Sequence, residues 1–113
     1  MHELSLAQSV VELLENQARE HRFQRVNQVW LSVGALACVE TEALMTGLRA
    51  ASRNTLAQSA QFHIELVPAA GWCFNCSAAF TTLEVRRSCP DCGSLQVQID
   101  GGQEMRVREV DVS

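Results

Sequence analysis

Apolar residues return at three- and four-residue steps along the first stretch of the chain. Leu4, Ala7, Val10, Val11, Leu14 and Ala18 share one side of a helical wheel, while Glu12, Glu15, Asn16 and Arg19 fall mostly on the other. The pattern predicts an amphipathic helix over residues 4 to about 20. Glu3 then lies near its positive end, where a carboxylate is favoured. After this the period changes. Arg25 to Val33 is rich in β-branched and aromatic residues and predicts a strand, with Val29, Leu31 and Val33 on one face and Gly34 at its end. Thr41 is placed to cap a second helix running to about Ser52, with Leu44, Met45, Leu48 and Ala51 as its apolar stripe and Gly47 as a weak point. Gln61 to Val67 alternates Phe62, Ile64 and Leu66 against His63 and Glu65, which predicts a second strand stopped by Pro68. Glu104 to Val112 reads as a last strand. Its alternation slips between Val107 and Val110, as a bulge would make it.

The order helix, strand, helix, strand, strand predicts an α+β fold in which two helices pack on one face of a three-stranded sheet. Residues 69–100 interrupt that pattern. They form an expected inserted domain, entered at Pro68-Ala69-Ala70-Gly71 and left through a hinge at Gly101-Gly102, so that residues 1–68 plus 101–113 make the other domain. No internal repeat or low-complexity segment is present.

The insertion carries the clearest chemistry in the chain: Cys73-x2-Cys76 and Cys89-x2-Cys92, separated by twelve residues. Two such pairs on tight turns, brought face to face by short strands, supply a tetrahedral four-thiolate site of the zinc-ribbon kind. Pro90 presets the second turn, and Gly93 can take the positive φ that lets backbone N–H groups point at sulfur. The first turn has Ser77 at the matching place and is the weaker copy. The spacing fits zinc best, and iron also fits it. Disulfides fit poorly, because nothing in the chain points to secretion. A closed four-thiolate site leaves no position for an activated water, so the metal there is structural.

Composition limits the rest. The 113 residues are 47% hydrophobic, enough for one modest domain and a small metal-stapled one. The formal charge is −4, and four thiolates with one Zn2+ bring it to roughly −6, a poor balance for gripping phosphate backbones. No apolar run is long enough to span a membrane, and Glu3, Glu12, Glu15 and Glu20 break any secretory signal. A cytoplasmic protein with no nucleic-acid or membrane partner is expected, with Cys38 a reduced, partly buried thiol. Homodimerisation stays open. No nucleophile–base pair, phosphate loop or paired catalytic carboxylates can be picked out, so no enzyme is expected.

The amino terminus offers a second metal chemistry. In Met1-His2-Glu3, the Met1 amine and the His2 amide nitrogen close a five-membered chelate ring, and the amide and imidazole of His2 close a six-membered one. Planar nitrogen ligands suit Ni(II) or Cu(II). Glu3, or a further backbone nitrogen, can fill a remaining position. Ligation needs a neutral imidazole, so binding weakens as pH falls through about 6.5. Taken singly, His2 also reads as a solvated terminal residue and Glu3 as a helix-dipole partner. Glu40, with Cys38 two residues before it, is the other metal-capable position near a helix start. His63 reads as a solvent-facing strand residue, and His21 as a residue that suits a helix C-terminus.

Met1-His2-Glu3-Leu4-Ser5-Leu6, the segment from Val29 to Glu40 and the paired C-x2-C turns together resemble the HypA/HybF family across essentially the whole chain. The resemblance implies a nickel metallochaperone of [NiFe]-hydrogenase maturation. It would bind transferable Ni(II) at His2, with Glu3 assisting and the Met1 amine available. Structural Zn(II) would be held by Cys73, Cys76, Cys89 and Cys92. Glu40 falls where some relatives place an aspartate that contributes to nickel. Implied partners are a HypB-type GTPase and the hydrogenase large-subunit precursor, and some relatives also serve urease. The competing reading is a zinc-ribbon interaction module, a transcription- or RNA-associated factor. It would need a basic, aromatic face, whereas Arg86 and Arg87 stand against Glu84, Asp91 and Asp100, with Trp72, Phe74 and Phe80 as the aromatics.

Overall fold

A computed structural model describes residues 2–85 and 88–113, so Met1, Arg86 and Arg87 lie outside the described residues. Helix α1 spans His2–His21 and buries Ala7, Val10, Val11, Leu14 and Ala18, the stripe its sequence period predicts. It begins two residues earlier than the apolar pattern. It ends where Arg22 takes a φ of +58° and its N–H donates to the Ala18 carbonyl at 2.8 Å. Arg19 and His21 in the last turn suit the negative end of the helix.

Strand β1 (Val26–Gly34) follows, and then helix α2 (Thr41–Ala51). Glu40, not Thr41, caps α2: its backbone is extended and its side chain accepts from the Glu42 N–H at 3.1 Å. The longer carboxylate does what an aspartate or serine does at this position. Cys38 is exposed and not partly buried as expected, with a φ of +57°. Strand β2 is Gln61–Val67, as expected, and Pro68 separates it from β3 (Ala69–Cys73). Strands β4 (Ala78–Thr82), β5 (Val97–Asp100) and β6 (Met105–Val112) complete the chain.

Two three-stranded sheets result, ordered β2-β1-β6 and β4-β3-β5. In the first, Arg25 and Ser113 exchange backbone hydrogen bonds at one end, and Gly34 donates to Glu104 at the other, so β1 and β6 run antiparallel. The slip in the alternation of β6 is present in its burial, where Val107 and Val110 are both partly covered, and β1 slips likewise between Val26 and Val29. In the second sheet β3 is central and pairs antiparallel with both neighbours, Gly71 lying opposite Phe80 and Ile99.

The chain divides into two compact units. One comprises Met1–Leu31, Val39–Glu65 and Arg106–Ser113, the other Ser32–Cys38 and Leu66–Met105. The core of the first holds Ala7, Val10, Val11, Leu14, Ala18, Val26, Val29, Leu31, Leu44, Leu48 and Ala57. Buried apolar residues of the second are Val33, Ala69, Cys73 and Cys89. Within the second unit Gly34, Gly102 and Ala69 approach so closely that a side chain at either glycine would collide with backbone or with the Ala69 methyl. Gly102 is therefore packed in place, not a free hinge. No described helix is long and apolar enough to cross a membrane.

Candidate metal centres

The four cysteines of the second unit converge, their sulfurs all within 4.8 Å of one another. Cys73 Sγ lies 3.7 Å from Cys92 Sγ, and Cys76 Sγ lies 3.9 Å from Cys89 Sγ. A tetrahedron with metal–sulfur bonds of about 2.3 Å has edges of about 3.8 Å, so the spacing fits a zinc ion held by four thiolates. Strand pairing explains the convergence. Cys73 ends β3 beside Ala78 of β4 and Val97 of β5, which sets the first turn against the second.

Backbone and side-chain donors then tune the sulfurs. The Cys76 N–H donates to Cys73 Sγ at 3.3 Å, and the Asp91 N–H to Cys89 Sγ at 3.4 Å. Gly93 takes a φ of +75° and gives its own N–H to the Cys89 carbonyl, leaving the next residue, Ser94, to reach Cys92. Asn75, a residue that the cysteine spacing does not single out, donates from Nδ2 to Cys92 Sγ at 3.5 Å. Taken as thiols, Cys92 and Cys76 differ. The Asn75 amide and the Ser94 N–H hold Cys92 down to about 6, while hydrogen bonding with Cys92 and then Cys73 pushes Cys76 up to about 12. Ser77 takes a φ of +52°, so both turns place a left-handed residue directly after their second cysteine.

The expected nickel residues lie in the first unit. His2 opens α1 with its side chain about half exposed, at 53%, while that of Glu3 is 14% exposed. His2 Nδ1 is 3.7 Å from Glu3 Oε2, and the same oxygen accepts from the Glu40 N–H at 3.2 Å. The starts of the two helices thus meet through the Glu3 carboxylate and the Glu40 backbone, while the Glu40 carboxylate turns to its own helix. Hydrogen bonds from its own N–H and from that of Glu40 hold the Glu3 carboxyl below the usual carboxylate range. The amide nitrogens of the first helical turn have no carbonyl four residues back to bond. Met1 lies outside the described residues.

The remaining candidates fall elsewhere. His63 is exposed on β2, its ring Nε2 donating to Gln28 Oε1 at 2.9 Å, with the ring stacked on Trp30 at 5.1 Å. His21 stands beside Glu20. Among the described residues, no group of three or more metal-capable side chains gathers outside the four cysteines.

The family model described as hydrogenase/urease nickel incorporation, metallochaperone, hypA matches residues 1–112. The hydrogenase maturation factor HypA of Azotobacter chroococcum is 43% identical over 112 residues, covering 99% of each chain. The hydrogenase maturation factor HybF of Salmonella typhimurium is 41% identical with the same coverage. The solution structure of the Ni metallochaperone HypA from Helicobacter pylori superposes with a TM-score of 0.70, covering 99% of this chain and 97% of that one at 23% identity, which shows a shared fold. The reading as a transcription- or RNA-associated zinc ribbon gives way to this match, which takes in the amino terminus as well as the cysteines. With the family model matched from end to end and relatives above 40% identity, the chain belongs to the HypA family of nickel metallochaperones of hydrogenase maturation.

Proposed function

We propose that this chain binds Ni(II) at its amino terminus and delivers it for [NiFe]-hydrogenase maturation, with Zn(II) held for structure by Cys73, Cys76, Cys89 and Cys92. The observation that carries the reading is the family match over residues 1–112. The chemistry of the terminus supports it. The Met1 amine and the amide and imidazole of His2 form two fused chelate rings. His2 Nδ1 and Glu3 Oε2, 3.7 Å apart, are within the span of two ligands each about 2 Å from one ion. An amide that ligates a metal gives up its proton, and the positive end of α1 favours the negative charge that remains. Glu3 and Glu40 complete the set, by ligation or by holding the terminus in place.

Delivery follows from exposure. A claw at a chain end is open on one side, so an acceptor's ligands can replace its own one at a time. The protein acts in the cytoplasm with a HypB-type GTPase and the hydrogenase large-subunit precursor, and catalyses no reaction of its own.

One property of the chain makes the terminal amine directly testable. All nine basic side chains are arginine, so that amine is the chain's sole primary amine. Acetylation with an amine-selective reagent therefore alters one nitrogen. Ni(II) titrated into zinc-loaded protein is expected to bind near one equivalent. That binding is expected to be lost in His2→Ala and in the acetylated protein, with zinc retained in both. Unchanged nickel binding in His2→Ala would remove the reading.

A further inference from the structure

The first turn of α1 rests on the middle of α2, and it comes close because residue 47 has no side chain. A β-carbon at Gly47 would stand 3.2 Å from the Ala7 β-carbon, 3.5 Å from the Glu3 carbonyl oxygen and 3.5 Å from the Leu4 α-carbon. The last two are ordinary contacts, whereas the first is tight. Ala7 is fully buried, and its methyl group is fixed to the helix backbone with no torsion to turn it away. Helix spacing depends on the size of the side chains at the contact, and here both are minimal. Glycine inside a helix is unfavourable relative to alanine. Within α2 it stands, buried, between Leu44 and Leu48, where α1 approaches.

A second contact ends on the same turn. The Glu40 N–H, at the start of α2, donates to Glu3 Oε2 at 3.2 Å. One helix thus holds residues 3 to 7 at two points, and His2 directly precedes them.

We propose that Gly47 is a positioning residue of the amino-terminal nickel site: its missing side chain seats the first turn of α1 on α2, which brings Glu3 to Glu40 and fixes where His2 presents its imidazole. The inference rests on the reading of that terminus as the nickel site. A methyl group at 47 lifts the turn by a few tenths of an ångström. A branched side chain lifts it further and parts Glu3 from the Glu40 N–H. The chelate rings of His2 still form, but the Glu3 carboxylate is no longer held in place beside them, so the site loses the part of its affinity that comes from being assembled in advance.

The test compares wild type, Gly47→Ala, Gly47→Val, His2→Ala and the double variant Ala7→Gly/Gly47→Ala, all zinc-loaded. Nickel affinity is read by chelator competition, the ligand field by Ni(II) absorption, and the fold by thermal unfolding. Gly47→Ala is expected to weaken nickel binding by roughly three- to tenfold and Gly47→Val by more than about tenfold, with a changed absorption spectrum. Alanine's better helix propensity opposes the cost of the crowded Ala7 contact, so Gly47→Ala should move the unfolding midpoint little. Affinity and stability therefore part company, which a merely structural role does not produce. The double variant moves the methyl group from one helix to the other. It should recover affinity to within about twofold of wild type although its α1 now carries a glycine.

Wild-type affinity in Gly47→Ala, or a double variant no better than Gly47→Ala, overturns the proposal, and both measurements stand even if Gly47→Val fails to fold. Loss of nickel in His2→Ala beside normal binding in the Gly47 variants sinks this inference alone. Retention of nickel in His2→Ala sinks the terminal site itself.

Discussion

Glu3 serves two helices at once. Its carboxylate sits at the positive end of α1, as its place in the sequence predicts, and it also closes the backbone N–H that precedes α2. Both partners favour the charged form, so its carboxyl titrates below the usual range, about 4.5. The consequence for stability has a definite sign. A depressed folded-state pKa stabilises the protein above the unfolded value, and that contribution disappears as pH falls through the folded one. Glu3→Gln keeps the shape and an acceptor oxygen but has no charge to lose. Wild type is therefore expected to be the more stable of the two above about pH 4.5, with the difference closing as the pH is lowered further. Urea unfolding of both proteins between neutral and acid pH checks this, and a constant difference would mean that the carboxylate charge contributes nothing. The sequence gives half of this residue. The dipole is local and can be read from position, whereas the contact with Glu40 spans 37 positions and forms only when the helices pack. Glu40 was obscured in a similar way, because threonine is the stronger capping residue by type and stands next to it.

At the scale of an element, the two cysteine turns make a controlled comparison within one molecule. Each is C-x2-C, each is followed by a residue with positive φ, and each directs backbone N–H groups at sulfur. They differ in that Gly93 holds the left-handed position in one and Ser77 in the other, at +75° and +52°. A left-handed conformation costs a residue with a β-carbon about 1 kcal/mol relative to glycine. Ser77→Gly removes that cost and adds some freedom to the unfolded chain, so a net gain of roughly 0.5–1 kcal/mol is expected. In a module whose folding and zinc binding are linked, such a gain appears as a two- to fivefold tighter hold on zinc, roughly, against a competing chelator. Gly93→Ser should shift the competition the other way, and identical curves for all three proteins would refute the strain at Ser77. The cysteine turns were legible because their spacing is local and their chemistry demands it. The left-handed serine was not, since serine is compatible with several turns and the metal geometry imposes this one. Asn75 escaped for the same reason: its amide matters through Cys92, reached only across the closed site.

For the molecule as a whole, periodicity located both helices and the three longer strands, β1, β2 and β6, because alternation and three-to-four steps follow directly from which face is buried. It did not show how closely the helices approach. Gly47 looks like a flaw in α2 when the stripe is read alone, and its use becomes visible only with Ala7 set against it. The two units also differ in what holds them together. The first buries a continuous set of aliphatic residues from both helices and the strands between them. In the second, among the described residues, Cys73 and Cys89 are two of the four buried apolar side chains, while Trp72, Phe74, Leu83, Val85 and Leu95 are exposed. So small a core cannot stabilise a fold of this length, and metal binding must supply the difference. Removing zinc by chelation, or blocking its site with Cys73→Ser/Cys92→Ser, is therefore expected to unfold residues of the β4-β3-β5 sheet. Both helices belong to the other unit, so the helical circular dichroism signal should persist. Nickel binding should persist too, provided it is measured in the double serine variant, where the vacated thiolates cannot all capture the ion. Amide hydrogen exchange resolves the two outcomes by segment: rapid exchange confined to residues 69–100 agrees with separate stabilisation. Loss of protection along α1 together with that sheet would show that zinc supports the helical unit as well.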